Sequence, residues 1–374
     1  MEGKIKLIEI IADSSLGGGP RHVLDLVKNI DKDLFEVFVI CPGGFLSAEA
    51  KQIKGVTVYN IQMKSKFDII AFWNIKKTIS QIRASKDPFG PLIVHTHGSR
   101  AGFLGRLATP PHAKKVYTEH RFDDDFHLKN PLNEWMQKKV LREQNYHSDL
   151  IIAVSHSVRD FLVKSEMALS EKIVIIPNGI ELNRTDNRIQ NTDNSRKAPV
   201  IGNVANLNFQ KGQIYLIDAM PEILEKYPLA TLEIIGEGEE RVALEAEIKR
   251  LNIEKNVTLY GFKNKIDRYM KDWSVFALSS VAETFGIVVL EAMKAGLPVV
   301  ATKVGGVSDI IIQNKNGLLV PSRNSKQLAK SILNVLDNPA LAAKLKRAGL
   351  ERVKEFDWKI IIKKIEKEYL ELFK

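Results

Sequence analysis

Cysteine is almost missing from the 374 residues: Cys41 stands alone, so no disulfide can close within the chain. That points to a reducing compartment, and the cytoplasm is the expectation. Long hydrophobic runs are lacking as well; no stretch of 18 apolar residues occurs, which excludes a membrane-spanning helix. The opening segment, Met1 to Ala12, carries acid inside its apolar run and reads as a first strand, not a secretory leader. No Walker A sequence is present, and the dinucleotide pattern Gly-x-Gly-x-x-Gly is never completed. Gly236-Glu237-Gly238-Glu239-Glu240 would aim carboxylates at a pyrophosphate, which disfavours a dehydrogenase.

What is present suits a globular protein of two ordinary domains: 44% of residues are apolar and 27% charged. The net charge of +10 fits an anionic substrate, an anionic membrane surface or nucleic acid equally well, and decides nothing alone. Short apolar runs predict strands at 5–11, 35–40, 56–59, 92–95, 115–118, 150–154 and 173–176, with helices between. A second series follows at 200–204, 230–235, 257–260, 274–278, 298–301 and 317–320. Continuous rather than alternating apolar strands indicate parallel sheets covered on both faces. Residues 181–199 hold almost nothing to bury and read as a linker between domains 1–180 and 200–356. The fold class is therefore α/β, with two Rossmann-like sheets that each bind ligands beyond the carboxyl ends of their strands, facing a cleft. A last helix, from Asp357 to about Phe373, aligns Trp358, Ile361, Ile362, Ile365, Tyr369 and Leu370 on one stripe.

The stretch from Glu283 to Glu291 is arranged for an anion. Thr284 is placed to cap a helix beginning near Phe285, and Gly296-Leu297-Pro298 ends it before the next strand. The first turn has unpaired N–H groups, and Gly286 lets a ligand approach the backbone, so a phosphate is welcome there. Glu283 and Glu291 bracket that end, roughly 10–12 Å apart at a rise of ~1.5 Å per residue. A nucleoside diphosphate sugar has comparable reach: Glu291 would accept from ribose hydroxyls and Glu283 from sugar hydroxyls. The plainer reading leaves Glu283 to complement the helix dipole and Glu291 as an exposed charge.

Other candidates carry a similar pair of readings. In Leu16-Gly17-Gly18-Gly19-Pro20-Arg21-His22, Pro20 suits the first helical position, and the glycines make either a tight turn or a close approach to ligand. Arg21 and His22 are cations at a positive helix end, which favours a neighbouring anion. Lys211, within Asn206-Leu-Asn-Phe-Gln-Lys211-Gly212, stands at the entrance to a helix starting near Gln213. Asp123-Asp124-Asp125 matches an Asp-x-Asp metal motif but is read as a solvated acidic loop, and no metal is expected. The segment Phe67 to Arg83 mixes aromatic and basic residues; packing against the sheet is expected, with a bilayer surface as the alternative.

Taken together, several motifs resemble the family 4 retaining glycosyltransferases of the GT-B fold, with matches over nearly the whole chain. They are Gly17-Gly-Gly-Pro-Arg-His-Val-Leu-Asp25, His95-Thr-His-Gly98, Thr118-Glu-His120, Val154-Ser155, Pro177-Asn-Gly-Ile180, Lys211-Gly212 and Glu283-x7-Glu291. The resemblance implies that Glu283 holds the donor sugar's hydroxyls, that Phe285, Gly286 and Ile287 present backbone to sugar and phosphate, and that Glu291 holds ribose. It implies further that Lys211 neutralises the diphosphate, assisted by Gly18 and Gly19, that Phe262 contacts the base, and that His97 lies near the anomeric centre. One position departs from the family pattern: Asn206 replaces an arginine that also grips phosphate. An amide brings no charge, so Lys211, the helix end and Arg21 would carry more of the stabilisation.

The expected reaction is transfer of a sugar from a UDP- or GDP-linked donor, a substrate and not a cofactor, to an acceptor hydroxyl with retention. The acceptor, a saccharide or lipid-linked saccharide, belongs to the first domain, and the C-terminal helix 357–374 is expected to pack back onto it. Peripheral contact with an anionic membrane fits the charge; no nucleic-acid partner is expected. Two alternatives stay open, a nucleotide-sugar 2-epimerase of the same fold and a non-catalytic nucleotide-sugar-binding subunit.

Overall fold

The computed structural model describes residues 3–15, 17–85, 87–120, 131–182 and 198–374. Within it the chain divides into two compact units, one formed by Met1–Gly179 with Trp358–Lys374, the other by Ile180–Asp357. Asp123 to Asp125 and most of the segment read as a linker lie outside the described residues.

The first unit is built on β1 (Ile5–Ile11), β2 (Phe35–Cys41), β3 (Val56–Asn60), β4 (Leu92–His97), β5 (Lys114–Glu119), β6 (Leu150–Ala153) and β7 (Ile173–Ile175). Their spatial order is β3-β2-β1-β4-β5-β6-β7, with every pairing parallel. All seven residues of β1 are buried, as a central strand covered on both faces requires. One face packs against helix Gly18–Asn29 and the C-terminal helix Trp358–Glu371, whose Trp358, Ile361, Ile362, Ile365 and Tyr369 join the core. The other face packs against helices Ile69–Ala84 and Gly98–Ala108. Cys41 is buried here, and that burial pushes its thiol up to about 11, which removes it as a nucleophile.

The second unit carries β8 (Val200–Val204), β9 (Thr231–Ile235), β10 (Val257–Leu259), β11 (Val275–Leu278), β12 (Val299–Thr302) and β13 (Leu318–Val320). Here the order is β10-β9-β8-β11-β12-β13, again parallel throughout. Gly202 in β8 is required by packing: a Cβ there would meet the Trp273 ring at 1.9 Å. In each sheet the strand order reverses once, between β1 and β4 and between β8 and β11. Such reversals open a crevice at the carboxyl ends of the strands.

Two helix starts differ from the sequence reading. The helix after β1 begins at Gly18, so Pro20 is its third residue and not its first. The helix after β11 begins at Ile287, and its cap is Gly286 with φ +92°, not Thr284. No side-chain hydrogen bond caps it. The left-handed turn that Gly286 alone adopts cheaply brings the chain into the helix two residues later than a threonine cap would.

Candidate functional site

In the second unit the crevice at the strand reversal collects the residues singled out from sequence. The loop leaving β8 passes Asn206, turns through the short 3-10 helix Phe209–Lys211, whose Asn208 side chain accepts from the Lys211 N–H, and enters helix Gln213–Ile217. The loop leaving β11 runs beside it: Val281 N–H donates to the Gln210 carbonyl (2.8 Å), and Ser279 Oγ donates to that of Lys211 (3.2 Å). These backbone ties set Lys211 against Glu283, and the two side chains pair at 2.6 Å, with 23% and 12% of their surfaces exposed. The ammonium is thus held by a carboxylate, not left to solvent. Gly306 N–H donates to the Glu283 carbonyl (3.1 Å), which fixes the backbone on the other side.

Phe285, Gly286 and Ile287 follow directly. Phe285 is buried, its ring 5.9 Å from that of Phe356, and Ile287 opens the helix Ile287–Lys294 whose first-turn N–H groups face the crevice end of the sheet. Glu291 stands half-buried one turn further on. Asn206 is exposed, and its carbonyl accepts from Gln213 Nε2 (3.0 Å). Phe262 is exposed just past β10, where Gly236 N–H donates to the Gly261 carbonyl (3.0 Å).

The corresponding crevice of the first unit holds a cluster that sequence reasoning saw only in part. Gly18 and Gly19 open the helix after β1, and Arg21 is exposed in its first turn. His97, at the end of β4, is buried; its Nε2 donates to Glu9 Oε2 at 2.6 Å, while its Nδ1 lies 3.2 Å from His120 Nε2. Glu9 Oε1 accepts from Tyr369 Oη (3.2 Å), which also meets His95 Nδ1 (2.6 Å); His95 Nε2 pairs with Thr118 Oγ1 (2.7 Å). Burial works to raise the Glu9 carboxyl, but its electrostatic and hydrogen-bond interactions with His95 and His97 outweigh it and hold Glu9 far below the usual carboxylate range. Burial first, and His95 second, push His97 down to about 4. Burial, then His97 and His95, push His22 down to about 3. His97 and His22 are therefore neutral at pH 7.

Glu9, His95, Tyr369 and Thr118 were not singled out for this cluster. One signal was available: a glutamate between isoleucines, in a strand whose other residues apart from Lys6 are apolar, must find buried partners or lose its charge. The Lys211–Glu283 pair had no such signal, because the two residues lie 72 apart in sequence.

Two family models match the chain, "Glycosyltransferase Family 4" over residues 16–184 and "Glycosyl transferases group 1" over residues 184–352. An uncharacterized glycosyltransferase of Methanocaldococcus jannaschii is 27% identical, over 96% of this chain and 95% of that protein. The UDP-Gal:alpha-D-GlcNAc-diphosphoundecaprenol alpha-1,3-galactosyltransferase of Escherichia coli is 25% identical, over 74% of this chain and 73% of that one. Among solved structures, Anabaena HepE in complex with UDP-glucose superposes with a TM-score of 0.79 at 22% identity, covering 97% of this chain and 98% of its own. That last likeness concerns the fold: two parallel-sheet Rossmann-like domains.

Proposed function

The chain belongs to the family 4 glycosyltransferases of the GT-B fold, transferases that use nucleotide sugars, and from that premise we propose a retaining sugar transfer from a uridine diphosphate donor to a hydroxyl of a lipid-linked saccharide. The observation that carries this reading is the Lys211–Glu283 pair beside the open first turn of helix Ile287–Lys294. Without donor, each ion neutralises the other. With donor, Lys211 turns to the diphosphate and Glu283 accepts hydrogen bonds from the sugar, while N–H groups of the helix start receive phosphate oxygens. Glu291 takes the ribose, Phe262 the base, and Asn206 donates its amide to phosphate without adding charge. In the first unit, Gly18, Gly19, Arg21 and His97 are the residues we assign to substrate binding.

The bond from the anomeric carbon to the diphosphate breaks as the acceptor oxygen bonds on the same face, and the departing phosphate takes the acceptor proton. The protein supplies position and charge stabilisation. The cationic groups at hand serve the diphosphate without a bridging metal. A uracil nucleotide and a lipid-linked acceptor are supported by the UDP-glucose bound to the HepE neighbour and by the diphosphoundecaprenol substrate named for the E. coli relative.

Calorimetry with UDP on the whole chain tests the donor half. Lys211→Ala should weaken UDP binding at least about tenfold, or ~1.4 kcal/mol, and Glu283→Ala should lower transfer on the order of 10²–10³ with UDP binding retained. Equal UDP affinity in wild type and Lys211→Ala would overturn the phosphate role. Consumption of the donor with rearrangement of its sugar, and no acceptor present, would favour the epimerase instead.

A further inference from the structure

Glu9 is a costly residue to place. It sits fully buried in β1, in the middle of the first sheet, between Ile8 and Ile10. A carboxylate there loses far more solvation than an apolar side chain would, and buried ionic groups seldom add net stability, so its use is to be sought in what it does to its neighbours. Three donors close on it, His95 and His97 from β4 and Tyr369 from the C-terminal helix. His97 Nε2 lies 2.6 Å from Oε2, while His95 Nδ1 and Tyr369 Oη each lie 3.2 Å from Oε1.

An ionised carboxylate accepts hydrogen bonds and donates none. The His97 imidazole, neutral at pH 7, carries a single proton. That proton must stand on Nε2, against Glu9, which leaves Nδ1 as a lone pair. The ring is also held in place: its centroid is 4.1 Å from that of His95 and 5.6 Å from that of His22. Nδ1 lies 3.2 Å from Nε2 of His120, and because His120 is half-buried, this is the side of the ring nearer solvent.

From this geometry we propose that Glu9 is a positioning residue for substrate binding: it fixes the tautomer of His97, so that Nδ1 meets a substrate hydroxyl as a hydrogen-bond acceptor, a role that rests on the assignment of His97 to substrate binding. The carboxylate behind the ring does more than orient it. Its charge raises the basicity of the far nitrogen, as a carboxylate does for any imidazole it backs, and so strengthens Nδ1 as an acceptor. The His120 N–H is the partner that the hydroxyl replaces. Oε1 keeps the carboxylate still through Tyr369 and His95, and His95 is fixed in turn by Thr118 Oγ1 at 2.7 Å from its Nε2. Glu9 itself, fully buried, lies out of reach of any substrate.

Nitrogen-15 NMR of the histidine-labelled whole chain tests the tautomer, with the His97 signals identified by their loss in His97→Gln. In the wild type at pH 7, Nε2 should be protonated and Nδ1 bare. In Glu9→Gln the amide offers a donor as readily as an acceptor, so both tautomers should appear; in Glu9→Leu an Nε2–H would have no acceptor, and the proton should move to Nδ1. Turnover of UDP-glucose and UDP-galactose, followed as UDP release, should fall at least about tenfold in both variants, while UDP affinity by calorimetry, set by the second unit, stays unchanged. A wild-type His97 protonated on Nδ1 would overturn the role of Glu9, as would a Glu9→Leu spectrum matching that of the wild type, or undiminished turnover beside an altered tautomer. A wild type that turns over neither sugar nucleotide counts against the transferase reading alone, and the spectra still decide what Glu9 does. The wild-type spectrum decides even if neither variant folds.

Discussion

Asp218 has a buried Oδ1 with no hydrogen-bond partner, and the Glu247 carboxylate lies next to it. Burial, followed by the hydrogen bond and charge of Glu247, raises Asp218 to about 6, well above the ordinary carboxyl. Folding therefore favours the protonated form: the stabilisation is complete below about pH 4, drains away as pH rises through 6, and is absent at pH 8. Asp218→Asn copies the protonated shape, so its melting temperature should exceed that of wild type at pH 8 and lose that advantage at pH 4. Equal melting temperatures at pH 8 would show that Asp218 ionises freely. At this scale the sequence told least. Glu9 was visible as an acid inside an apolar strand, yet its partners His95 and Tyr369 lie 86 and 360 residues away, and only the assembled sheet reveals that they meet.

Strands were legible because parallel sheets bury both faces, and a run such as Ile5–Ile11 has no reason to alternate. The helix starts were less so, since a glycine in the left-handed region can redirect a chain where a threonine reads equally well as a cap. Close backbone approach is likewise silent in sequence: Gly202→Ala would drive a methyl into the rigid Trp273 indole, itself held by a 2.7 Å hydrogen bond to Glu233. A loss of about 1–3 kcal/mol in denaturant unfolding of the second unit is expected. The helix Ile69–Ala84 packs against the sheet, as the sequence reading expects, and keeps apolar residues on its outer side. Ala71, Ile75, Thr78, Ile79 and Ile82 face the core, while Phe67, Ile69, Ile70 and Trp73 are 70%, 70%, 77% and 59% exposed. Lys76 lies over the Trp73 ring at 5.0 Å, and Lys77 is exposed beside it. An apolar face edged by lysines suits an anionic bilayer surface. Ile70→Ser with Trp73→Ser should reduce sedimentation with anionic vesicles and leave the melting temperature unchanged; undiminished sedimentation would assign membrane contact elsewhere.

Over the whole molecule, the α/β class and the paired Rossmann-like sheets followed from strand spacing and the motif order. The ion pair and the histidine cluster did not, because each joins loops from opposite sides of a strand reversal. The first unit is also discontinuous: its sheet is closed on one face by Trp358, Ile361, Ile362, Ile365 and Tyr369, which come after the second unit in the chain. Deleting Trp358–Lys374 should abolish the first unit's calorimetric transition and spare the second's. The order of synthesis gives this arrangement a further meaning. The 178 residues Ile180–Asp357 must leave the ribosome before the closing helix exists, a delay of roughly 10–40 s at ~5–20 residues per second. For that interval the nascent amino-terminal sheet has an uncovered greasy side, and chaperones that shield newborn chains have a defined target.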